Sequence, residues 1–249
     1  MDLRLTALTE HTWLLPHHPD PNAVQSCIGV ISEGNESLLV DAGNSPRLAR
    51  RLRAELERCD LPPVSRIIYT HHHRDHISGA SEFGAPVIAH TICKDILEEE
   101  SRRPWSIEYV KEEMKRNPKL AASYAARLNA IDDWSAFRII VPEQTFDREL
   151  RIHLDGLTVE LEHVGGEHAA DSIVVKVPQD EVIFIGDCYY PPPLHLRKPD
   201  SAPSLDMLRS LQKSPYSLFV EGHAKPFTQR ELARFLEENR RHLKNKPAV

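Results

Sequence analysis

The chain has 249 residues, 41% of them hydrophobic and 27% charged, and a formal net charge of -6. That is the make-up of an ordinary globular chain, long enough for one large domain or two small ones. The acidic balance argues against a nucleic-acid partner, which needs clustered Lys and Arg, and no run approaches the roughly 18 apolar residues of a membrane span.

The opening Met1-Asp2-Leu3-Arg4-Leu5-Thr6 has no basic stretch followed by an apolar one, so no signal peptide is expected. Strands are expected over Trp13-Leu14-Leu15, Cys27 to Ile31 and Ser37 to Val40, with Glu33-Gly34-Asn35-Glu36 as the turn joining the last two. Pro16 to Asn22 reads as a Pro-rich loop whose His17 and His18 are either solvated or line a site mouth. Asp41-Ala42-Gly43-Asn44 closes the third strand. Ser45 and Pro46 then open a helix as N-cap and first position. Leu48, Leu52 and Leu56 recur along its buried stripe, while Arg50, Arg51, Arg53, Glu55 and Glu57 face water.

After Leu61-Pro62-Pro63, a β-branched and aromatic run to Thr70 feeds His71-His72-His73-Arg74-Asp75-His76, the pattern H-x-H-x-D-H. Ile77 to Ala80 reads as a turn into a short helix. Four metal-capable side chains therefore crowd one loop at a strand's carboxyl end. Imidazole suits zinc, and three nitrogen donors with an open position make a catalytic site rather than a structural one. One metal would take His71 and His73, on one side of an extended turn; Asp75 and His76 would point at a second. A solvated His-rich tag also gathers histidines, but tags sit at termini and this run lies between a strand and a helix.

Pro86 to His90 is another short strand, and the alternation of strands and helices argues for an α/β arrangement. Residues 91–136 read instead as a helical insertion: Ile92 to Arg103, a second helix marked by Ile107, Val110 and Met114 and cut by Asn117-Pro118, and a third marked by Tyr124, Leu128 and Ile131. Trp105, Tyr109, Tyr124 and Trp134 would give it an apolar wall over the site, with a dimerisation surface as the alternative. Strands return from Phe137. Asp155-Gly156 turns one hairpin (Arg151 to Leu154, Leu157 to Leu161), and Pro178-Gln179-Asp180 turns another (Ser172 to Val177, Glu181 to Ile185). Ser204 to Lys213 is a helix with Leu205, Leu208 and Leu211 inward, and Tyr216 to Val220 is a last strand. Thr228 and Glu231 make a capping box for a final helix whose inner face is Leu232, Phe235, Leu236 and Leu243. Three strand ends place glycine beside a potential ligand: Gly165-Gly166-Glu167-His168, Gly186-Asp187 and Glu221-Gly222-His223. Cys27, Cys59, Cys93 and Cys188 are far apart with no C-x-x-C, which fits a reduced, cytoplasmic setting.

The H-x-H-x-D-H stretch and these strand-end residues, in this order, resemble the metallo-β-lactamase-fold superfamily, over roughly Cys27 to His223. The resemblance implies a four-layer αβ/βα sandwich, a single domain over 1–249 carrying the insertion, with the ligands on loops along one edge of two sheets. It implies a first metal held by His71, His73 and His168, a second by Asp75, His76 and His223, and Asp187 bridging them with a hydroxide between. Asp41 would support the site from behind. Glu167 departs from the Gly-His-Thr that relatives often carry, which bears on the local turn. Two Zn2+ ions per chain, with Mn2+ or Fe2+ as alternatives, would acidify a shared water for attack on an ester, thioester, lactone or phosphoester. Asp75 would shuttle a proton to the leaving group.

Within the superfamily, zinc β-lactamases commonly carry Cys or Ser where Asp187 lies, which tips against antibiotic hydrolysis. The 26 residues after His223 do not hold the glutathione-binding extension of glyoxalase II. Lactonase-like members carry a tyrosine three residues past the bridging aspartate, where Tyr190 stands, and it donates a hydrogen bond to the substrate oxygen that gains charge. The insertion is larger than in those members. The expected function is a dizinc hydrolase of a small-molecule ester, lactone or thioester, cytoplasmic, with no nucleic-acid or membrane partner and a dimer left open. Its rivals are a mononuclear iron oxygenase of the persulfide dioxygenase type and a non-catalytic ligand sensor on the same scaffold.

Overall fold

Short β-branched runs, punctuated by turn residues, build two sheets in a computed structural model that describes residues 3–244. In the first sheet β1 (Thr6–Ala7), β2 (Thr12–Leu15), β3 (Ile28–Glu33) and β4 (Glu36–Val40) run antiparallel in chain order. Then β5 (Val64–Ile68), β6 (Val87–His90) and β7 (Gln144–Phe146) continue parallel to β4. In the second sheet β8 (Glu149–Leu154), β9 (Leu157–His163), β10 (Ile173–Val177) and β11 (Val182–Gly186) are antiparallel. β12 (Leu218–Glu221) pairs parallel with β11, and β13 (Phe227–Thr228) forms the edge. Parallel neighbours need crossovers. These are α1 (Pro46–Arg58), α2 (Arg74–Ile77), the trio α3 (Thr91–Ser101), α4 (Ile107–Arg116) and α5 (Ala121–Ala130), and α6 (Leu205–Gln212); α7 (Gln229–Lys244) closes the chain.

Three apolar clusters fix the layer order. Between the sheets, Leu14, Ile31, Val40 and Ile68 meet Ile152, Val159, Val175 and Phe184. Outside the first sheet, Leu48, Leu52 and Leu56 of α1 and Leu97 of α3 cover Val30, Leu39 and Ile67. Outside the second, Leu208 and Leu211 of α6 and Leu232 and Leu236 of α7 cover Val174, Ile183 and Phe219. The result is the expected helix–sheet–sheet–helix sandwich. Both faces of each sheet are covered, so β11 is buried at every position instead of alternating. Each such Val, Leu, Ile or Phe contributes about 1.5–3 kcal/mol of burial. Among the described residues, no helix is long and apolar enough to cross a membrane.

Local signals act where they were read. Ser45 Oγ accepts Leu48 N–H at 3.2 Å with Pro46 in the first turn, and Thr228 and Glu231 exchange their capping bonds. Three expectations are corrected. A helical turn forms earlier than expected, from Arg74 to Ile77 inside the motif, and the short helix after it is a single 3-10 turn over Ala80–Glu82. Strands do not resume at Phe137: residues 137–143 are irregular, and β7 rejoins the first sheet beside β6. Phe235 is 40% exposed, because Leu232 and Leu236 set the inner stripe and Phe235 falls beside it; the side chain of Leu243 lies outside the described residues.

At the end of the sandwich remote from the histidine loop, His11 ties the first sheet to the turn after β10. Its Nδ1 is 2.7 Å from Asp180 Oδ1 and its Nε2 is 3.3 Å from Glu33. The hydrogen bond to Asp180 outweighs partial burial and raises the His11 pKa above its ordinary 6.5. A raised folded-state pKa gives stability that is full below the unfolded value and is lost as pH rises through the folded one. His11→Ala should therefore destabilise the protein by about 0.5–1 kcal/mol below pH 6.5, and by less in alkaline buffer, read from urea melts at both. An equal loss at both pH values would show that the charge on His11 is irrelevant.

Candidate metal centre

All the ligand-bearing segments end at one edge of the sandwich, after β5, before β10, and after β11 and β12. Backbone bonds stitch the two sheets there, Ile173 N–H donating to Thr70 O and Cys27 N–H to Gly222 O, while Gly222 N–H to Gly186 O ties the ends of β11 and β12. The edge is a fixed frame, which a multi-dentate site requires.

The first group is His71, His73 and His168. His71 Nε2 is 2.9 Å from His73 Nδ1, which is 3.0 Å from His168 Nε2. The opposite ring nitrogens decide the tautomers. Thr70 Oγ1 donates its proton to Asp41 Oδ2 at 2.9 Å, so it must accept from His71 Nδ1 at 3.1 Å. His168 Nδ1 donates to the Pro191 carbonyl at 2.9 Å. In both rings the lone pair is left on Nε2, pointing at the shared centre. Burial holds the pKa of His71 well below the ordinary value and lowers that of His73 to about 3, so these imidazoles are neutral donors near pH 7. The turn before His168 is made by Gly165 and Gly166, at φ 59° and 130°. Glu167 points to solvent, so the departure at this position leaves the histidine's approach intact.

The second group is Asp75, His76 and His223. His223 Nε2 is 2.9 Å from Asp75 Oδ2, and His76 Nε2 is 3.5 Å from the same oxygen. His76 Nδ1 donates to Asp41 Oδ2 at 2.7 Å, which leaves Nε2 buried with no partner. Asp41 itself sits in the left-handed region, φ 66°, and also receives Thr70 N–H at 2.8 Å, so it orients one histidine from each group. Asp187 Oδ2 lies between the groups, 3.2 Å from His168 Nε2, 3.3 Å from His223 Nε2 and 3.6 Å from His76 Nε2; its Oδ1 is buried without a donor. Burial alone would lower the pKa of His223 and raise that of Asp187. Contacts win in both cases: Asp187 and Asp75 lift His223 to about 10, and His76, His168 and His223 push Asp187 well below the carboxylate range. The second group thus demands positive charge.

These donor sets fit divalent ions. The lone pairs of the first group converge, the carboxylates of the second hold positive charge on the histidines beside them, as they would on a cation, and His76 Nε2 and Asp187 Oδ1 are orphaned in the interior. Every candidate ligand named from the sequence is brought to this edge. Tyr190 is there too: its ring stands edge-on to His168, centroids 5.8 Å apart, and 6.2 Å from His223. Its hydroxyl, like that of Tyr189, is shared with the buried Glu221 carboxyl, whose pKa burial raises. His17 lies near enough to His223 for the two charges to oppose, so it belongs to the site's rim.

One residue on this edge escaped the sequence reading. Asp171, almost wholly buried, accepts His72 N–H at 2.7 Å and pairs with His72 Nδ1 at 2.8 Å, turning the middle histidine away and pinning the loop. The only local signal was an acid three residues past His168. The insertion meets the motif through Arg74, whose guanidinium lies 4.4 Å from the Tyr124 ring. Tyr124 is fully buried and Trp134 packs on Phe137, so these two aromatics belong to the core and not to an open wall.

A family model described as the metallo-beta-lactamase superfamily matches residues 21–223. Among curated proteins, a linear primary-alkylsulfatase from Pseudomonas sp. is 27% identical over 224 residues, covering 78% of this chain and 40% of that protein. The alpha subunit of a 2,4-dinitroanisole O-demethylase from Nocardioides sp. is 25% identical over 215 residues, covering 84% of this chain and 53% of that protein. The chain thus spans about half the length of these relatives or less. Among solved structures, a metallo-beta-lactamase from Pontibacter korlensis superposes with TM-score 0.64 at 19% identity, covering 98% of this chain and 100% of that one. One from Hirschia baltica gives TM-score 0.62 at 16% identity, covering 95% and 97%. At such identities the likeness is one of fold.

Proposed function

The chain belongs to the metallo-beta-lactamase superfamily, and from that premise we propose that it is a metal-dependent hydrolase of a small-molecule ester, lactone, thioester or sulfate ester. The observation that carries this reading is Asp187 Oδ2, set between two histidine groups whose free nitrogens converge. His71, His73 and His168 would hold one ion and Asp75, His76 and His223 the other, with Asp187 shared; zinc suits the imidazole-rich set. When bound, two such ions supply Lewis acidity toward the substrate oxygen and lower the pKa of water enough for a nucleophile at neutral pH.

The chain's own residues do the rest. Asp41 and Thr70 lock the tautomers, so the donors need no reorganisation. Asp75 Oδ2, 2.9 Å from His223 Nε2, would take a proton from the attacking water and return it to the leaving group. Tyr190 reaches the same side and would donate to the oxygen that gains charge. Replacing Tyr190 by Phe keeps the ring, and turnover is expected to fall about ten- to a hundredfold with metal content unchanged. Full turnover in that variant would assign the hydroxyl to Glu221 alone.

The proposal is tested by elemental analysis of freshly purified protein together with a screen across lactones, thioesters, carboxylic and sulfate esters, phosphodiesters and β-lactams. The expected result is two zinc equivalents per chain and turnover of at least one ester class. One equivalent of iron with oxygen consumption would replace the hydrolase by an oxygenase. One equivalent of metal after zinc or manganese supplementation would remove the shared role of Asp187.

A further inference from the structure

Where the insertion meets the histidine loop, the interior carries more positive charge than its one nearby carboxylate, Glu100, can balance. Arg127, on α5, is 4% exposed, yet its Nε and both Nη atoms have no acceptor among the described residues. Its guanidinium stacks 3.9 Å from the Trp105 ring centre and 4.9 Å from that of Phe137. Arg74 approaches the same indole at 5.5 Å and Tyr124 at 4.4 Å, and one of its Nη atoms is also buried without an acceptor. Aromatic faces stabilise the plane of a guanidinium. Its N–H edges need oxygen. The carboxylate at hand is Glu100, whose Oε1 is taken by Arg103 at 2.9 Å and whose Oε2 is buried without a hydrogen bond, one acid among three guanidinium groups. Arg74, Arg103 and Arg127 thus act on one another against a single acid. Burial first, and then Arg74, pull the Arg127 pKa well below that of an ordinary arginine. His195, from the loop after Tyr190, also feels the Arg74 charge, so a third segment borders the pair.

We propose that Arg74 and Arg127 form a receiving site for an oxyanion group, a carboxylate, sulfate or phosphate, carried by the molecule that occupies the metal cleft. Arg74 stands between His73 and Asp75 in the chain, so an anion on its guanidinium lies beside the ligand loop. Two guanidinium forks supply the bidentate N–H pairs that an oxyanion accepts and that a lysine could not copy. An unpaired buried charge costs stability relative to an apolar side chain of like shape, and an oxyanion paired with it would offset that cost. That the oxyanion belongs to a substrate rests on the hydrolase reading; the binding itself does not.

The test is isothermal titration of inorganic sulfate into metal-loaded wild-type, Arg127→Met and Arg127→Lys proteins at constant ionic strength, with thermal melts in chloride alongside. Wild type should bind sulfate, Arg127→Lys more weakly, and Arg127→Met at least tenfold more weakly while melting no lower than wild type. Equal sulfate heats in wild type and Arg127→Met would place any anion on the metals alone and overturn the site. So would no heat in wild type with a lower melting temperature in Arg127→Met, which is the signature of a purely structural stack. A matched pair of aryl esters, one neutral and one ending in a carboxylate, adds the functional arm. The wild-type preference in kcat/KM for the anionic ester should shrink about ten- to a hundredfold in Arg127→Met, chiefly through KM. If neither ester is hydrolysed, aryl carboxylic esters are removed from the candidate substrates while the sulfate titration still decides the subsite.

Discussion

Replacing Asp187 with alanine is expected to lower turnover at least about a thousandfold and to remove close to one metal equivalent per chain. The reason is positional. Asp187 Oδ2 faces His168 on one side and His76 and His223 on the other, all within 3.6 Å. No other carboxylate of the site faces nitrogens from both groups within that distance among the described residues. Alanine would leave converging imidazoles with no charge between them, and on the metal-facing side of the second group only Asp75 would remain, Asp41 being bound to the far nitrogen of His76. Asp187→Asn keeps the shape without the charge and should fall between the two. Elemental analysis, turnover on the best substrate and a thermal melt together read the result. Wild-type metal content and turnover in Asp187→Ala would end the two-ion reading.

Gly222→Ala should cut turnover at least about a hundredfold, although the residue bears no functional group. A Cβ at this position would lie 2.1 Å from Asp187 Oδ1 and 3.0 Å from His76 Cε1. Neither neighbour can yield easily. His76 is buried and held by Asp41 at 2.7 Å, and Asp187 is hemmed in by three histidines. The added methyl must therefore displace the shared carboxylate or the Gly222 backbone, which also binds Gly186 O and Cys27 N. Overpacking of this kind costs about 1–3 kcal/mol, small enough for the protein to remain folded. Zinc titration of the metal-free variant should show the weaker site lost first. A variant that binds two zinc ions with wild-type affinity and turns over normally would mean that the edge is softer than its hydrogen bonds imply.

What the sequence made legible was local. The Ser45-Pro46 start of α1, the Asp155-Gly156 hairpin and the Thr228–Glu231 box each act within four residues, so their signals survive without knowledge of the fold. The candidate ligands were legible for a related reason: each follows a hydrophobic run and sits beside glycine or inside a dense histidine motif. The missed features are contacts between distant segments. Asp171 reaches His72 across 99 residues, and no spacing rule links an acid in one loop to the middle histidine of another. Arg127 carries no signal in the sequence, because its burial comes from Trp105 and Phe137, which close over it from other segments. The return of β7 to the first sheet was hidden because a three-residue strand carries too little pattern to name its neighbour.

That return has a consequence for how such chains diversify. β6 and β7 are adjacent parallel strands, paired from Ile88 with Gln144 to His90 with Phe146. The whole stretch between them is one crossover, with both ends clamped about 4.8 Å apart in the sheet. Joining parallel neighbours takes about a dozen residues and one helix; α3 alone, lying on the sheet, meets that need. α4 and α5 are surplus to the connection. Because closure entropy rises only slowly with loop length, chain entropy sets little limit on what this crossover carries; the constraint is packing, since any replacement must cover the ground that Val110 and Tyr124 bury beside Arg74. The crossover is a socket: evolution, or an engineer, can fit a different cover to the same hearth.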